Sequence, residues 1–121
     1  LGNLRCLRHL KITYATEKIE KIFEDTEQLK RKTGQMARKI IQRLDALRAS
    51  NTFGIFLATG LGRPERLTGD LEGYYSIRIT DNYRLVVWVN MPQNGDVRDA
   101  DQVMVKGVVD YHGRKNDWIL P

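Results

Sequence analysis

Asp110, Tyr111 and His112 stand consecutively near the C-terminal end of the chain, bringing a carboxylate, a phenol and an imidazole into one short segment. An imidazole titrates near neutral pH and can therefore give or take a proton. An adjacent carboxylate can orient it and raise its pKa, while the tyrosine offers a hydroxyl and a ring face on which a nucleobase can stack. Three polar residues at a strand end are also common where no chemistry is done, so spacing alone leaves both readings open. A second pair, Arg78 and Arg84, lies in two runs of alternating residues. If those runs pair so that the arginines face each other, two guanidiniums repel across the strands, an arrangement that an anionic ligand between them explains. The alternative is two side chains diverging into water.

The elements that must position these groups follow from periodicity. Tyr75, Ile77 and Ile79 alternate with Ser76, Arg78 and Thr80, and Tyr83, Leu85, Val87 and Val89 alternate with Arg84, Val86 and Trp88. This predicts a β-hairpin. A two-residue loop at Asp81-Asn82 would pair Thr80 with Tyr83 and split the apolar residues between the faces. A three-residue loop over 80–82 pairs Ile79 with Tyr83 and gathers the odd-numbered apolar residues on one side, and Asn82 tolerates the left-handed backbone that such a loop needs. The longer loop is the expected one. It sets Arg78 opposite Arg84 on the face away from the core, flanked by Tyr74 and Trp88.

Upstream, Leu10, Ile12 and Tyr14 alternate as a short strand. Thr16 reads as the N-cap of a helix that carries Ile19, Ile22, Phe23 and Leu29 on one face and ends at Gly34. A second helix has Ala37, Ile40, Ile41, Leu44 and Leu47 on one face and closes at Ser50-Asn51. Residues 51–64 read as a loop. A last strand runs from about Val103 to Tyr111 or His112, with Lys106, Val108, Asp110 and His112 sharing one parity. Regular alternation there would put Tyr111 on the face opposite Asp110 and His112. The expected fold class is α+β, a single small domain of order βααβββ with two N-terminal helices packed on a largely antiparallel sheet. Residues 10–112 form that domain, 1–9 an N-terminal extension and 113–121 a C-terminal tail.

Composition narrows the function classes. The 121 residues are 41% hydrophobic, enough for one ordinary core. The single cysteine, Cys6, excludes an intramolecular disulfide framework and a Cys-rich zinc site, and His9 and His112 are too few for a histidine metal cluster. Apolar runs are too short for a membrane span or a signal-peptide core, which predicts a cytoplasmic protein. Gly60-Leu61-Gly62 lacks the following Gly-Lys-Ser/Thr of a phosphate-binding loop, and neither an HExxH zinc motif nor a nucleophile elbow is present. The formal net charge is +5, with 12 Lys and Arg against 6 Asp and Glu in residues 1–50 and 8 against 9 in residues 51–121. The excess, including Arg38, Lys39 and Arg43, is either a solvated helix face or a surface for phosphate or an acidic protein.

Four motifs recur in order: Leu67-Thr68-Gly69-Asp70, then Gly73-Tyr74-Tyr75-Ser76-Ile77-Arg78, then Asn82-Tyr83-Arg84-Leu85, then Val109-Asp110-Tyr111-His112. With the strand and helical pair before them they resemble the HigB-like (plasmid maintenance killer protein) branch of the RelE/ParE toxins, over about residues 10–112. The resemblance implies the toxin of a type II toxin–antitoxin pair, an endoribonuclease that cleaves mRNA on the ribosome by 2′-hydroxyl attack, with no metal and no other cofactor. Such cleavage needs a base, an acid and positive charge at the phosphorane-like transition state. On the resemblance, Asp110, Tyr111, His112 and Arg84 form the catalytic set, and Arg78, Arg66, Lys106 and Trp88 the RNA-binding set. Many relatives carry a histidine where this chain has Glu65. That departure would weaken catalysis, alter substrate choice or shift an acid/base role to Glu65. The 90–102 connection is longer than usual, and the tail with Trp118 and Ile119 is either a loose end or a segment packed beside the site. The implied partners are a helix-turn-helix antitoxin, mRNA and the ribosome, with operator DNA reached only through the antitoxin and no membrane contact. Two alternatives stand beside this reading: a ParE-like gyrase-inhibiting toxin, disfavoured by the acid/base residues, and a non-enzymatic basic module that binds an acidic protein or RNA.

Overall fold

The computed structural model describes residues 9–111 and 117–120. It is an α+β fold of four helices against one six-stranded sheet. Strand β1 (Lys11–Tyr14) leads into α1 (Glu17–Glu24), where the Thr16 hydroxyl accepts from Ile19 N at 3.1 Å, the expected N-cap. The helix expected to run on to Gly34 is instead two. Asp25 takes an extended backbone and its carboxylate accepts from Glu27 N and Gln28 N, so one residue ends α1 and starts α2 (Thr26–Thr33). Helix α3 (Met36–Ala49) buries Ala37, Ile40, Leu44 and Leu47, the stripe its spacing predicts.

Residues 51–64, expected as loop, hold α4 (Phe53–Thr59), capped by the Thr52 hydroxyl and stopped by Gly60 in the left-handed conformation. Phe53 and Phe56 are wholly buried, and the Phe53 ring meets Tyr75 edge-on at 5.0 Å. Gly62 has φ +73, and a side chain there would overlap Ile77 Cγ2. Its carbonyl accepts from Arg78 N at 2.6 Å. Gly62 therefore serves close backbone approach to the sheet, whereas Gly60 serves the left-handed cap of α4.

The sheet continues with β2 (Glu65–Arg66), β3 (Tyr74–Arg78), β4 (Tyr83–Val89), β5 (Gln102–Asp110) and β6 (Asp117–Leu120). Its order is β1-β5-β4-β3-β2, with β6 also paired to β5; β1 runs parallel to β5 and every other pair is antiparallel. Two strands, β2 and β6, thus extend the expected βααβββ order. The described part of the tail is a strand of the sheet and no loose end.

The β3–β4 hairpin has the expected register. Arg78 pairs with Arg84, and Ile79 N donates to Tyr83 O at 2.9 Å. The parity expected for β5 fails, however. Val105 pairs with Val87 but Gly107 with Val86, so Lys106 is the extra residue of a β-bulge. Beyond the bulge every side chain changes face. Val108 joins Val103 and Val105 in the core against the helices, Val109 and Tyr111 fall on the far face, and Asp110 lies opposite Tyr83 on the helix side.

Candidate active site

Residues directly opposite each other in neighbouring strands project to the same face. Three lateral rows follow on the face away from the helices. Arg78, Arg84, Val109 and Trp118 make one; Glu65, Ser76, Val86 and Gly107 make the next; Tyr74, Trp88 and Met104 make the third. The first two rows bring the charged groups together.

Arg84 is anchored at the hairpin tip. Its Nη1 donates to Thr80 O and Asp81 O, each at 2.8 Å, and to Tyr83 O at 3.3 Å. Its guanidinium carbon lies 5.1 Å from the centre of the Tyr111 ring, a cation–π contact. The three-residue loop that the hairpin register demands thus also supplies the carbonyls that orient the arginine. Arg78 stands beside it with Nη1 3.9 Å from Asp81 Oδ1, and its Nε is buried with no hydrogen-bond partner among the described residues. An unpaired buried N–H of a charged group is costly unless an outside acceptor reaches it. The Arg78 carbonyl accepts from Arg43 Nε at 3.0 Å, and burial lowers the Arg43 pKa. Arg43 thus ties α3 to the strand that carries the site, whereas Arg38 and Lys39 remain exposed on the helix surface.

Tyr111 gathers the other groups. Its backbone N–H donates to Asn82 O at 2.6 Å, fixing the end of β5 against the hairpin loop. Burial raises the phenol pKa; the Arg84 charge and a hydrogen bond with Ser76 pull it down, and the Glu65 carboxylate adds to the rise. The Tyr111 hydroxyl is therefore a neutral hydrogen-bonding group at physiological pH. Ser76 is only 2% exposed beneath it.

The residues expected from sequence divide accordingly. Arg78, Arg84, Tyr111 and Glu65 come together. Asp110 does not join them, because the bulge at Lys106 turns it to the other face. Arg66 pairs with Tyr75 and lines a cleft on the helix side with Met91, Asn94 and Val97, so it too lies away from Arg84. Trp88 shares the outer face but not the row: its ring meets Tyr74 edge-on at 5.1 Å and packs against Gly73. His112 lies outside the described residues. Sequence reasoning missed Ser76, whose only signal is a small polar residue at an outward position between Tyr74 and Arg78. Among the described residues no three His, Cys, Asp or Glu side chains are grouped to hold a metal ion, and no helix is long and apolar enough to cross a membrane.

Comparison with known proteins identifies the family. Residues 19–105 match the family described as YoeB-like toxin of bacterial type II toxin–antitoxin systems. Toxin YoeB of Streptomyces coelicolor is 47% identical over 49 residues, which are 40% of this chain and 56% of that protein, so the match spans little more than half of the relative's length. The YoeB–YefM complex from Staphylococcus aureus aligns at 27% identity and TM-score 0.52, covering 86% of this chain and 98% of the other. A YoeB/ParE toxin from Agrobacterium tumefaciens aligns at 25% identity and TM-score 0.53, covering 85% and 99%. These matches correct the expected branch from HigB to YoeB within the RelE/ParE superfamily. With HigB goes one expectation drawn from it: the antitoxin named with the staphylococcal relatives is YefM, not the expected helix-turn-helix kind. On its fold and on the extent of these matches, the chain belongs to the YoeB-like toxins of bacterial type II toxin–antitoxin systems.

Proposed function

We propose that this toxin is a ribosome-dependent mRNA endonuclease that cleaves by attack of the 2′-hydroxyl on the adjacent phosphate. The observation that carries the reading is the convergence on one sheet face of an anchored arginine, a carboxylate and a neutral phenol: Arg84, Glu65 and Tyr111. Glu65 takes the proton from the 2′-oxygen, which then attacks phosphorus. Arg84, with one arm held on the hairpin carbonyls, turns its remaining N–H groups to the non-bridging oxygens, and the Arg78 guanidinium beside it adds a second positive charge. The P–O5′ bond breaks, an acid protonates the departing 5′-oxygen, and a 2′,3′-cyclic phosphate remains. His112 is the candidate for that acid. Tyr111 holds the Arg84 plane by its ring and donates or accepts at the sugar by its hydroxyl. Asp110 has no direct part in this scheme, because it lies on the helix side of the sheet.

The partner that silences such a toxin is an antitoxin of the YefM kind. The exposed Arg38 and Lys39 with neighbouring Lys30 offer an acidic segment, or ribosomal RNA, a basic surface beside the hairpin tip. The test is to express the chain and map RNA ends on translated messages. Cuts phased to codons, lost in Arg84→Ala, Glu65→Gln and His112→Ala but kept in His9→Ala, support the nuclease. Toxicity that persists in all three site variants defeats it and returns the gyrase-directed or purely binding alternatives.

A further inference from the structure

Strand β6 ends the row that holds the two arginines. Leu120 pairs with Val108 and is 2% exposed in the core, whereas Trp118 pairs with Val109, with a shift in register between the two pairs. That irregularity lets one short strand anchor itself in the core by Leu120 and still place Trp118 beside Val109 on the outer face. Val109 in turn pairs with Arg84. Trp118 therefore stands two strand spacings from Arg84, or about 10 Å backbone to backbone. At 36% exposure it is among the few large apolar residues left open to solvent, and it lies outside the core cluster. Burying an indole there against protein would stabilise the fold more than leaving it open. An exposed indole flanking a phosphate-directed arginine has a use, because every nucleobase presents a π-face to stack on it.

We infer that Trp118 is a stacking platform for a base of the substrate RNA next to the scissile phosphate, a positioning residue supplied by the C-terminal strand. The inference rests on the nuclease reading above. With the phosphate on Arg84, a nucleotide directed toward β6 brings its base over the row that Val109 and Trp118 share. Tyr74 and Trp88 lie in the third row, some four residues along β4 from Arg84, and already use ring edge and face on each other and on Gly73. Trp118 is thus the better placed ring for the nearest base. Stacking tolerates any base but favours purines by area, so a preference rather than a strict code follows at that position.

The test compares messages that carry a single abasic nucleotide at successive positions of the ribosomal A-site codon, using the full chain. For the wild-type chain, kcat/KM falls at one position by about 5- to 150-fold, the range given by base–aromatic stacking. In Trp118→Leu, which keeps an apolar side chain on β6, the ratio of intact to abasic substrate at that position drops to about one, and Trp118→Tyr restores it. The ratio is taken within each variant, so a loss of folded protein does not move it. An unchanged ratio in Trp118→Leu at every position overturns the inference while leaving the nuclease intact. A wild-type chain that cuts no message, or whose cutting survives Arg84→Ala, overturns the nuclease reading and this inference with it.

Discussion

Replacing Arg84 by lysine separates the geometry of the site from its charge. One guanidinium nitrogen is held 2.8 Å from both Thr80 O and Asp81 O, so the fork has one arm on the hairpin and the remainder free to meet a phosphate. A lysine ammonium keeps the charge but has a single nitrogen, which can sit on the carbonyls or on the phosphate and cannot span both. Removing one preorganised donor from a developing negative charge costs about 10²- to 10³-fold in rate, or about 2.7–4 kcal/mol. Arg84→Lys should therefore fall near 10²-fold in the cleavage step, and Arg84→Ala, which also removes the charge, near 10³-fold. The hairpin bonds involve a charged donor, but the tip is partly exposed, so their loss costs the fold about 1 kcal/mol. That shifts the melting temperature by about 4 °C and leaves the protein folded under assay conditions. Single-turnover cleavage of a defined message on purified ribosomes, with thermal unfolding in parallel, reads both quantities. If Arg84→Lys cleaves within about threefold of the wild type, charge suffices and the anchored fork does not matter. If activity falls only as the folded fraction falls, Arg84 is structural and the argument is wrong.

Three other expectations follow from the fold. Burial raises the phenol pKa of both Tyr14 and Tyr111, and at Tyr14 the hydrogen bond to Glu24 at 2.8 Å adds to the rise. A raised folded-state pKa contributes stability that is full below the unfolded value, about pH 10, and is lost as pH rises through the folded value. Melting temperature should accordingly fall above about pH 10, and Tyr14→Phe should flatten that fall; an identical alkaline slope in the variant would count against it. At Gly73, φ is +93 and a Cβ would overlap Trp88 Cζ3, so Gly73→Ala should cost about 1–3 kcal/mol and move the Trp88 fluorescence, whereas an unchanged denaturant midpoint and spectrum would refute the close approach. Phe53 is fully buried, 5.0 Å from Tyr75 and 6.0 Å from Phe56, so Phe53→Ala should lose about 3–5 kcal/mol in urea unfolding; a loss below about 1 kcal/mol would show that α4 is no part of the core.

Which parts of this architecture can be read from the chain depends on how many residues vote for each. The hairpin register is legible because Tyr75, Ile77, Ile79, Tyr83, Leu85 and Val87 all change face together if it slips. Helix α3 is legible because five apolar positions repeat its period. Helix α4 is not, since seven residues with Gly54 inside them give too little periodicity, and only the Thr52 cap and the Phe53–Phe56 spacing hint at it. Strand β2 has two residues and no period at all, yet it sets Glu65 opposite Ser76 and so decides which carboxylate faces the arginines. The break at Asp25 is hidden for another reason: one residue ends the first helix by its backbone N–H and starts the second by its side chain, and the acidic pattern at either end looks continuous.

The largest consequence comes from one residue. Counting by twos along β5 groups Asp110 with Lys106 and leaves Tyr111 on the other side, which makes the Asp–Tyr–His triplet look divided against itself. The bulge at Lys106 adds a residue to β5 that β4 does not match, and every side chain from Val108 onward reverses. Alternation cannot reveal this, because Val108 and Val109 are equally apolar and either satisfies the core; Gly107 is the sole local sign that the strand is bent there. The bulge brings Tyr111 over Arg84 and Ser76 and sends Asp110 to the helix side. Deleting Lys106 removes only the unmatched residue and leaves Gly107, Val108, Val109 and Asp110 opposite the same partners in β4, so strict alternation should keep Tyr111 beside Arg84 and Asp110 on the helix side. Such a variant should therefore keep most of its cleavage along with its helices, and a loss as large as that of Arg84→Ala would show that the bend at Lys106, and not only the face of Tyr111, is needed.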